Sequence, residues 1–460
     1  MSGGGTGLSS ALAAHAASVR IGSLPDAVVE ATRTSILDQC GVILAASGLA
    51  APCAPFVRIA REGAAGRAAV IGHGLRSTAE LAAFANGAMA HALDFEDTHD
   101  ATLVHPHAAV LPAALAVAQA RGASGAELLA AVAAGADVAC RIALAFEDSP
   151  EDPDGFTVVP LIGAYGATAA VGRLLGATPE RIEQALSLVL GMVAGSAAAQ
   201  RDPGSHWRAV RDAFNARAAV TAATLAQLGV EGFRQPLEGR AGYYALYARR
   251  GWSAEAALRG LGERFEGAAV SFKPWPSCRG THAFVEAALA LVAAHPLRPE
   301  DVRAIHVRVS PFFRTLCEPQ ALRARPGTAT DAKFSIPFTV GIALAKGRVV
   351  LEDFADDALH DARVRAIAAA TRFEVCGAWR GDASTRGALR IELADGRTLA
   401  HEVVAPLGHP SNPMPADVLR RKFRDCAAHA AEPMPAERIE RIAARIDALE
   451  TQPDVVDLFD

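Results

Sequence analysis

The 460-residue chain has no Cys-x-x-Cys pair, and its seven cysteines stand far apart, at Cys40, Cys53, Cys140, Cys278, Cys317, Cys376 and Cys426. That spacing excludes a zinc ribbon or a disulfide framework and points to buried thiols in a reduced compartment. There is no excess of basic charge either. The formal net charge is −5, which argues against nucleic acid as a partner. The opening "GGGTG" follows no strand, so it reads as a flexible end and not as a phosphate-binding loop. No compact apolar core with a basic flank and cleavage site precedes the first helix, and no signal peptide is expected. The apolar window "ELLAAVAAGADVACRIALAF" contains Asp137 and Arg141, and "ALSLVLGMVAGSAAAQ" is too short to cross a bilayer. The expectation is a soluble, cytoplasmic protein with no membrane partner.

Hydrophobic residues make up 51% of the chain, and its length allows two or three domains. From about residue 8 to 265 the texture is helical, with alanine and leucine runs at 3–4 spacing broken by Gly and Pro. "STAE" at 77–80 reads as a capping box that opens a helix at Ser77. "TPERIEQALSLVLGMVAG" places Thr178 as N-cap, Pro179 at the first helical position and Gly195 at the end. Near residue 268 the texture changes. "VRAIHVRVS" alternates Ile305, Val307 and Val309 with polar neighbours, as a half-buried strand does. "ALRIELADGRTLAHEVV" sets Asp395-Gly396 between two alternating runs, a strong hairpin signal. Helices return over 416–430 and 435–449. The predicted fold is therefore mainly α. A large helical domain, residues 1–268 completed by 406–460, carries an inserted α+β domain at 269–405.

The chemistry-bearing residues fall into three stretches. "HALDFEDTHDATLVHPH" (91–107) concentrates histidines and carboxylates. A helix persisting from Ser77 to about Thr98 would place His91, Asp94 and Thr98 on one face, before the chain turns into His105-Pro106-His107. Acid/base catalysis suits this set, since an imidazole titrates near neutrality and a carboxylate can fix its tautomer. A solvated polar loop and a metal site use the same letters, although no thiolate or second His pair supports the metal. "VSFKPWPSCRGTH" (270–282) holds Lys273 among aromatic and proline residues, then Arg279 and His282 at a helix start, where a carboxylate would bind well; a plain helix N-terminus with a solvated arginine would use the same residues. "QRDPGSHWRAVRDAFNAR" (200–217) supplies Arg201, His206, Arg208, Arg211 and Arg217, and fixed guanidinium groups suit a substrate with several carboxylates. A solvated basic helix face would also account for it. "DAKFSIPFTVGIALAKG" (331–347) reads as a buried helix entered through Ser335.

Taken together and in order, "NGAMAHALDFEDTH…HPHAAVLPAALA", "GATAAVGRLLG", "NARAAVTAATLAQLGVEGF", "FKPWPSCRGTHAFVEAAL", "DAKFSIPFTVGIALAKG" and "GHPSNPMPADVLRRKF" resemble the MmgE/PrpD family. Its members include 2-methylcitrate dehydratases, cis-aconitate decarboxylases and an iminodisuccinate epimerase. The resemblance implies a helical domain and a smaller α+β lid, with the active cleft between them, in a homodimer that uses no cofactor and no metal. It also implies that Asp94, Thr98, His105 and Lys273 belong to the active site. Three positions depart from the family pattern: Thr157 replaces an imidazole, Arg208 a lysine and Phe338 a tyrosine.

The function expected is that of a cofactor-independent lyase acting on a small di- or tricarboxylic acid, by proton transfer next to a carboxylate. His105 would be base or acid, oriented by Asp94, and Lys273 would stabilise charge or donate the proton. Arg208 and Arg279 would hold carboxylates, with Thr98 and His282 completing a polar wall. Two alternatives stand beside it: an epimerase of an amino- or imino-dicarboxylate, and an inactive relative that binds a metabolite.

Overall fold

The computed structural model describes residues 7–147, 155–200, 202 and 205–460, so Arg201, Gly204 and most of the opening glycine run lie outside the described residues. The fold is mainly α, and the chain divides into two compact units, Met1–Val270 with Ala416–Asp460, and Ser271–Pro415.

The first unit is built of helices. Three of them, Pro106–Arg121, Gly125–Leu144 and Val159–Leu174, are buried almost all round, so their sequences show no polar stripe. Alanine and glycine let these backbones approach closely. A Cβ placed on Gly135 would lie 2.6 Å from the Gly166 carbonyl oxygen, and one on Gly166 would lie 2.4 Å from that of Gly135. Gly87, on helix Ala79–His91, meets Asp212, on helix Trp207–Gln227, in the same way, with a Cβ there 2.7 Å from the Asp212 carbonyl. Arg141 lies inside the apolar window because all its donors are used. Nε donates to Asp137 at 2.8 Å, and the two terminal nitrogens donate to the carbonyls of Ala257, Arg259, Gly260 and Arg264. Among the described residues no single helix is long and apolar enough to cross a membrane.

Two helices, Ala79–His91 and Pro179–Leu190, differ in extent from the sequence expectation. Ser77 does not cap. It ends a short hairpin, β1 (Ala68–Val70) with β2 (Leu75–Ser77), and its hydroxyl donates to the Ala60 carbonyl at 2.9 Å. Thr78 takes the capping role instead, accepting from the Leu81 N–H. The helix then stops at His91, so His91, Asp94 and Thr98 do not share a helical face. The Thr178 cap is found, but helix Pro179–Leu190 ends at Gly191. Gly195 instead backs onto the Thr157 carbonyl, 2.0 Å from where its Cβ would be.

The second unit contains a four-stranded sheet in the order β4-β3-β5-β6. β3 (Val302–Val309) runs parallel to β4 (Thr371–Val375) and antiparallel to β5 (Gly387–Leu393), which pairs in turn with β6 (Thr398–Val403). Ile305, Val307 and Val309 are buried, as their alternation requires. The β5–β6 turn uses Gly396 at φ +89°, a conformation glycine adopts without strain. Helix His282–Ala294 packs on β5 and β6, and helix Ile336–Lys346 packs on that helix. Ser335 caps the latter, its hydroxyl accepting from the Phe338 N–H at 3.0 Å.

Candidate active site

Each unit carries one group of the residues picked out from the sequence. In the first unit the group forms where the chain leaves helix Ala79–His91. Asp94 takes a left-handed backbone, φ +53°, and Leu103 another at φ +60°. Aspartate tolerates this conformation better than most residues, whereas leucine is strained there, a feature that clusters at functional sites. Between these two bends the segment folds back on itself, and helix Pro106–Arg121 begins directly after His105.

The surroundings of His105 define its chemistry. Nδ1 lies 2.8 Å from the Asp97 carbonyl oxygen, which can only accept. The neutral ring therefore carries its proton on Nδ1, and Nε2 keeps a lone pair. The same Nδ1 lies 3.0 Å from Glu96 Oε1 and 3.3 Å from Thr98 Oγ1. Glu96 is fully buried and also accepts from His91 Nδ1 at 2.5 Å, so one carboxylate serves two imidazoles whose ring centres are 5.0 Å apart. Burial holds His91 below the ordinary imidazole range, against the opposing pull of Glu96. The other carboxylates have their own partners: Asp97 accepts from His107 Nδ1 at 2.8 Å, and Asp94 Oδ2 lies 3.7 Å from Arg208 Nη2. The residue expected to orient His105 was Asp94. The structure puts Glu96, with the Asp97 carbonyl, in that position, because the helix ends at His91 and turns Asp94 toward Arg208.

In the second unit Lys273 is completely buried and Arg279 nearly so. Both lie against the turn that contains Gly408. The Phe272 N–H donates to the Gly408 carbonyl at 3.0 Å, and Gly408 has φ +88°. A Cβ on Gly408 would lie 1.9 Å from the Phe272 carbonyl oxygen, so only glycine lets this turn hold the segment that carries Lys273. Arg279 donates to Ser271 Oγ at 3.1 Å and to the carbonyls of Leu407 and Pro406. His282 is also buried, with Nε2 donating to the Ser277 carbonyl at 3.2 Å. The structure thus brings Thr98 to His105 and Arg208 to Asp94 in the first unit, and groups Lys273, Arg279 and His282 in the second.

Among the described residues His91, Glu96 and His105 form the one grouping whose ligand atoms could hold a metal ion, all within 4.8 Å of one another. The cysteines form no disulfide, and burial pushes the thiols of Cys53, Cys317 and Cys426 up to about 12. Those three are no thiolate nucleophiles near neutral pH.

Glu96, Gly408 and the carbonyl of Asp97 escaped the sequence reading. Glu96 stands within the quoted stretch, but no local pattern tells that a loop carboxylate turns back between two imidazoles.

A helical unit with a histidine–carboxylate loop, and a second unit with a buried lysine and arginine, match known sequences over most of the chain. Residues 10–254 match the MmgE/PrpD N-terminal domain and residues 275–448 the MmgE/PrpD C-terminal domain. The chain belongs to the MmgE/PrpD family. Cis-aconitate decarboxylase from Aspergillus terreus is 26% identical over 96% of this chain and 94% of its own length. The human cis-aconitate decarboxylase is 26% identical over 94% and 90%, and the mouse protein of the same name is 27% identical over 81% and 76%.

Proposed function

We propose that this chain is a lyase that releases carbon dioxide or water from a small di- or tricarboxylic acid, with His105 as its proton-transfer group and no cofactor. The observation that carries this reading is the tautomer of His105. With Nδ1–H held by the Asp97 carbonyl, Nε2 is the basic atom. The Glu96 carboxylate then stabilises the imidazolium formed once Nε2 takes a proton. In a dehydration Nε2 accepts the proton next to the carboxylate, and the electron pair left on carbon expels the hydroxyl group. In a decarboxylation the ring first takes a proton on Nε2 from solvent; carbon dioxide then leaves, the C–C bond electrons pass to the carbon chain, and the imidazolium delivers that proton to carbon. Both routes build negative charge beside a carboxylate, which Lys273 would offset, while Arg208 and Arg279 would hold the remaining carboxylates. Thr98 and His282 complete the polar wall. The names of the relatives make cis-aconitate the first acid to try.

Proton NMR of the purified protein in D2O, with citrate, 2-methylcitrate, cis-aconitate, tartrate, aspartate and iminodisuccinate, tests the reading. New olefinic signals or lost carbon dioxide are expected; silence with every acid would count against it. One observation favours a second reading, an epimerase. Thr157, a buried hydroxyl, stands where the family pattern has an imidazole, removing a proton donor that a decarboxylase would use. Deuterium entering beside a carboxylate on an unchanged skeleton would establish that alternative.

A further inference from the structure

We propose that Lys422, on the C-terminal helix Ala416–Ala427, is a positioning residue that fixes Glu96 against His105, which deepens the lyase reading by adding a part to the same site. Lys422 is 327 positions from Phe95 in sequence, yet its ammonium donates to the Phe95 carbonyl at 2.8 Å. The same nitrogen lies 2.6 Å from Asp38 Oδ1 and 3.9 Å from the centre of the Phe95 ring. All three partners are buried. Burial raises the Asp38 carboxyl to about 6, and Lys422 is the strongest influence pulling it back down, as expected of a tight ion pair in a dry setting.

The carbonyl of Phe95 and the N–H of Glu96 belong to one rigid peptide plane. Fixing that carbonyl fixes the plane from which the Glu96 side chain departs. Phe95 lies between Asp94, where the backbone turns left-handed, and Glu96, where the helix is already finished. The helix cannot set the orientation of this peptide. Lys422 can, because one ammonium reaches both the loop carbonyl and a carboxylate anchored on helix Asp26–Leu49.

The test compares Lys422→Met and Asp38→Asn in the full-length protein by two measurements. One is steady-state kinetics. The other is nitrogen NMR of 15N-histidine-labelled protein without substrate, in which the His105 Nδ1 shift reads its contact with Glu96 while the Asp97 carbonyl holds the tautomer. In Lys422→Met, kcat is expected to fall about 10²-fold, the cost typical of a misplacement near 1 Å, with KM unchanged and the His105 Nδ1 signal moved from its wild-type position. Asp38→Asn keeps the ammonium on the Phe95 carbonyl, and its His105 signal should stay as in the wild type. Should Lys422→Met fail to fold, Lys422→Gln keeps a donor on a shorter chain and is expected to move both readouts in the same direction. A folded Lys422 variant with an unaltered His105 signal overturns the proposal, whether or not kcat changes. The nitrogen spectrum needs no turnover, so it decides the role of Lys422 even if the lyase reading fails.

Discussion

The two units hold their candidate groups by opposite means. In the first, imidazoles meet carboxylates: His105 and His91 share Glu96, and His107 is paired with Asp97. In the second, Arg279 is held by backbone carbonyls and a serine hydroxyl. A carboxylate beside an imidazole changes how tightly the ring holds a proton. A carbonyl orients a guanidinium through its N–H donors. From this difference we propose a division of labour, in which the first unit moves a proton and the second holds negative charge.

This contrast can be broken outright by removing one group from each side. His105→Ala and Lys273→Ala are each expected to lower kcat about 10³-fold, within the usual worth of acid–base groups, with circular dichroism unchanged. Activity retained by both variants would refute the assignment of either role. A finer cut is Glu96→Gln, which leaves His105 in place but removes the charge beside Nδ1. A fall of about 10²-fold in kcat is expected, with KM unchanged. On the second side, Gly408→Ala puts a methyl group into the Phe272 carbonyl at a left-handed position. Backbone strain of about 1–3 kcal/mol should follow, seen as a lower urea midpoint, together with a weaker affinity for the acid.

The smallest effect concerns Asp38, whose carboxyl is raised from 3.8 to about 6 in the folded chain. Between those values the folded protein holds a proton that the unfolded chain has released, so this group makes the fold less stable as pH rises through that window. Asp38→Asn removes the slope. Relative to wild type, the variant should gain stability between about pH 4 and pH 6, as measured by urea midpoints at both ends of the range. A constant difference would show that Asp38 does not titrate there.

Features fixed by neighbouring residues were legible in the sequence. The alternation of Ile305, Val307 and Val309, the Asp395-Gly396 turn, and the cap at Thr178 each depend on a few adjacent side chains. What depends on distant partners was not. Ser77 carries the letters of a capping box, but the Ala60 carbonyl draws its hydroxyl away and Thr78 caps instead. Composition favours a continuous helix through Asp94, yet the chain leaves the helix at His91 and turns left-handed at Asp94. His105 and Arg279 could be read as candidates by residue type. Glu96, Lys422 and Gly408 could not, because their roles arise from contacts that no short window contains.

The central claim is that His105 is the proton-transfer group of a lyase. The most direct measurement follows cis-aconitate in D2O by proton NMR with the wild-type protein and His105→Ala side by side. The account predicts loss of carbon dioxide with deuterium placed on the product by the wild type, and no reaction with the variant. Turnover by His105→Ala at the wild-type rate, or deuterium exchange without any loss of carbon dioxide or water, would contradict it.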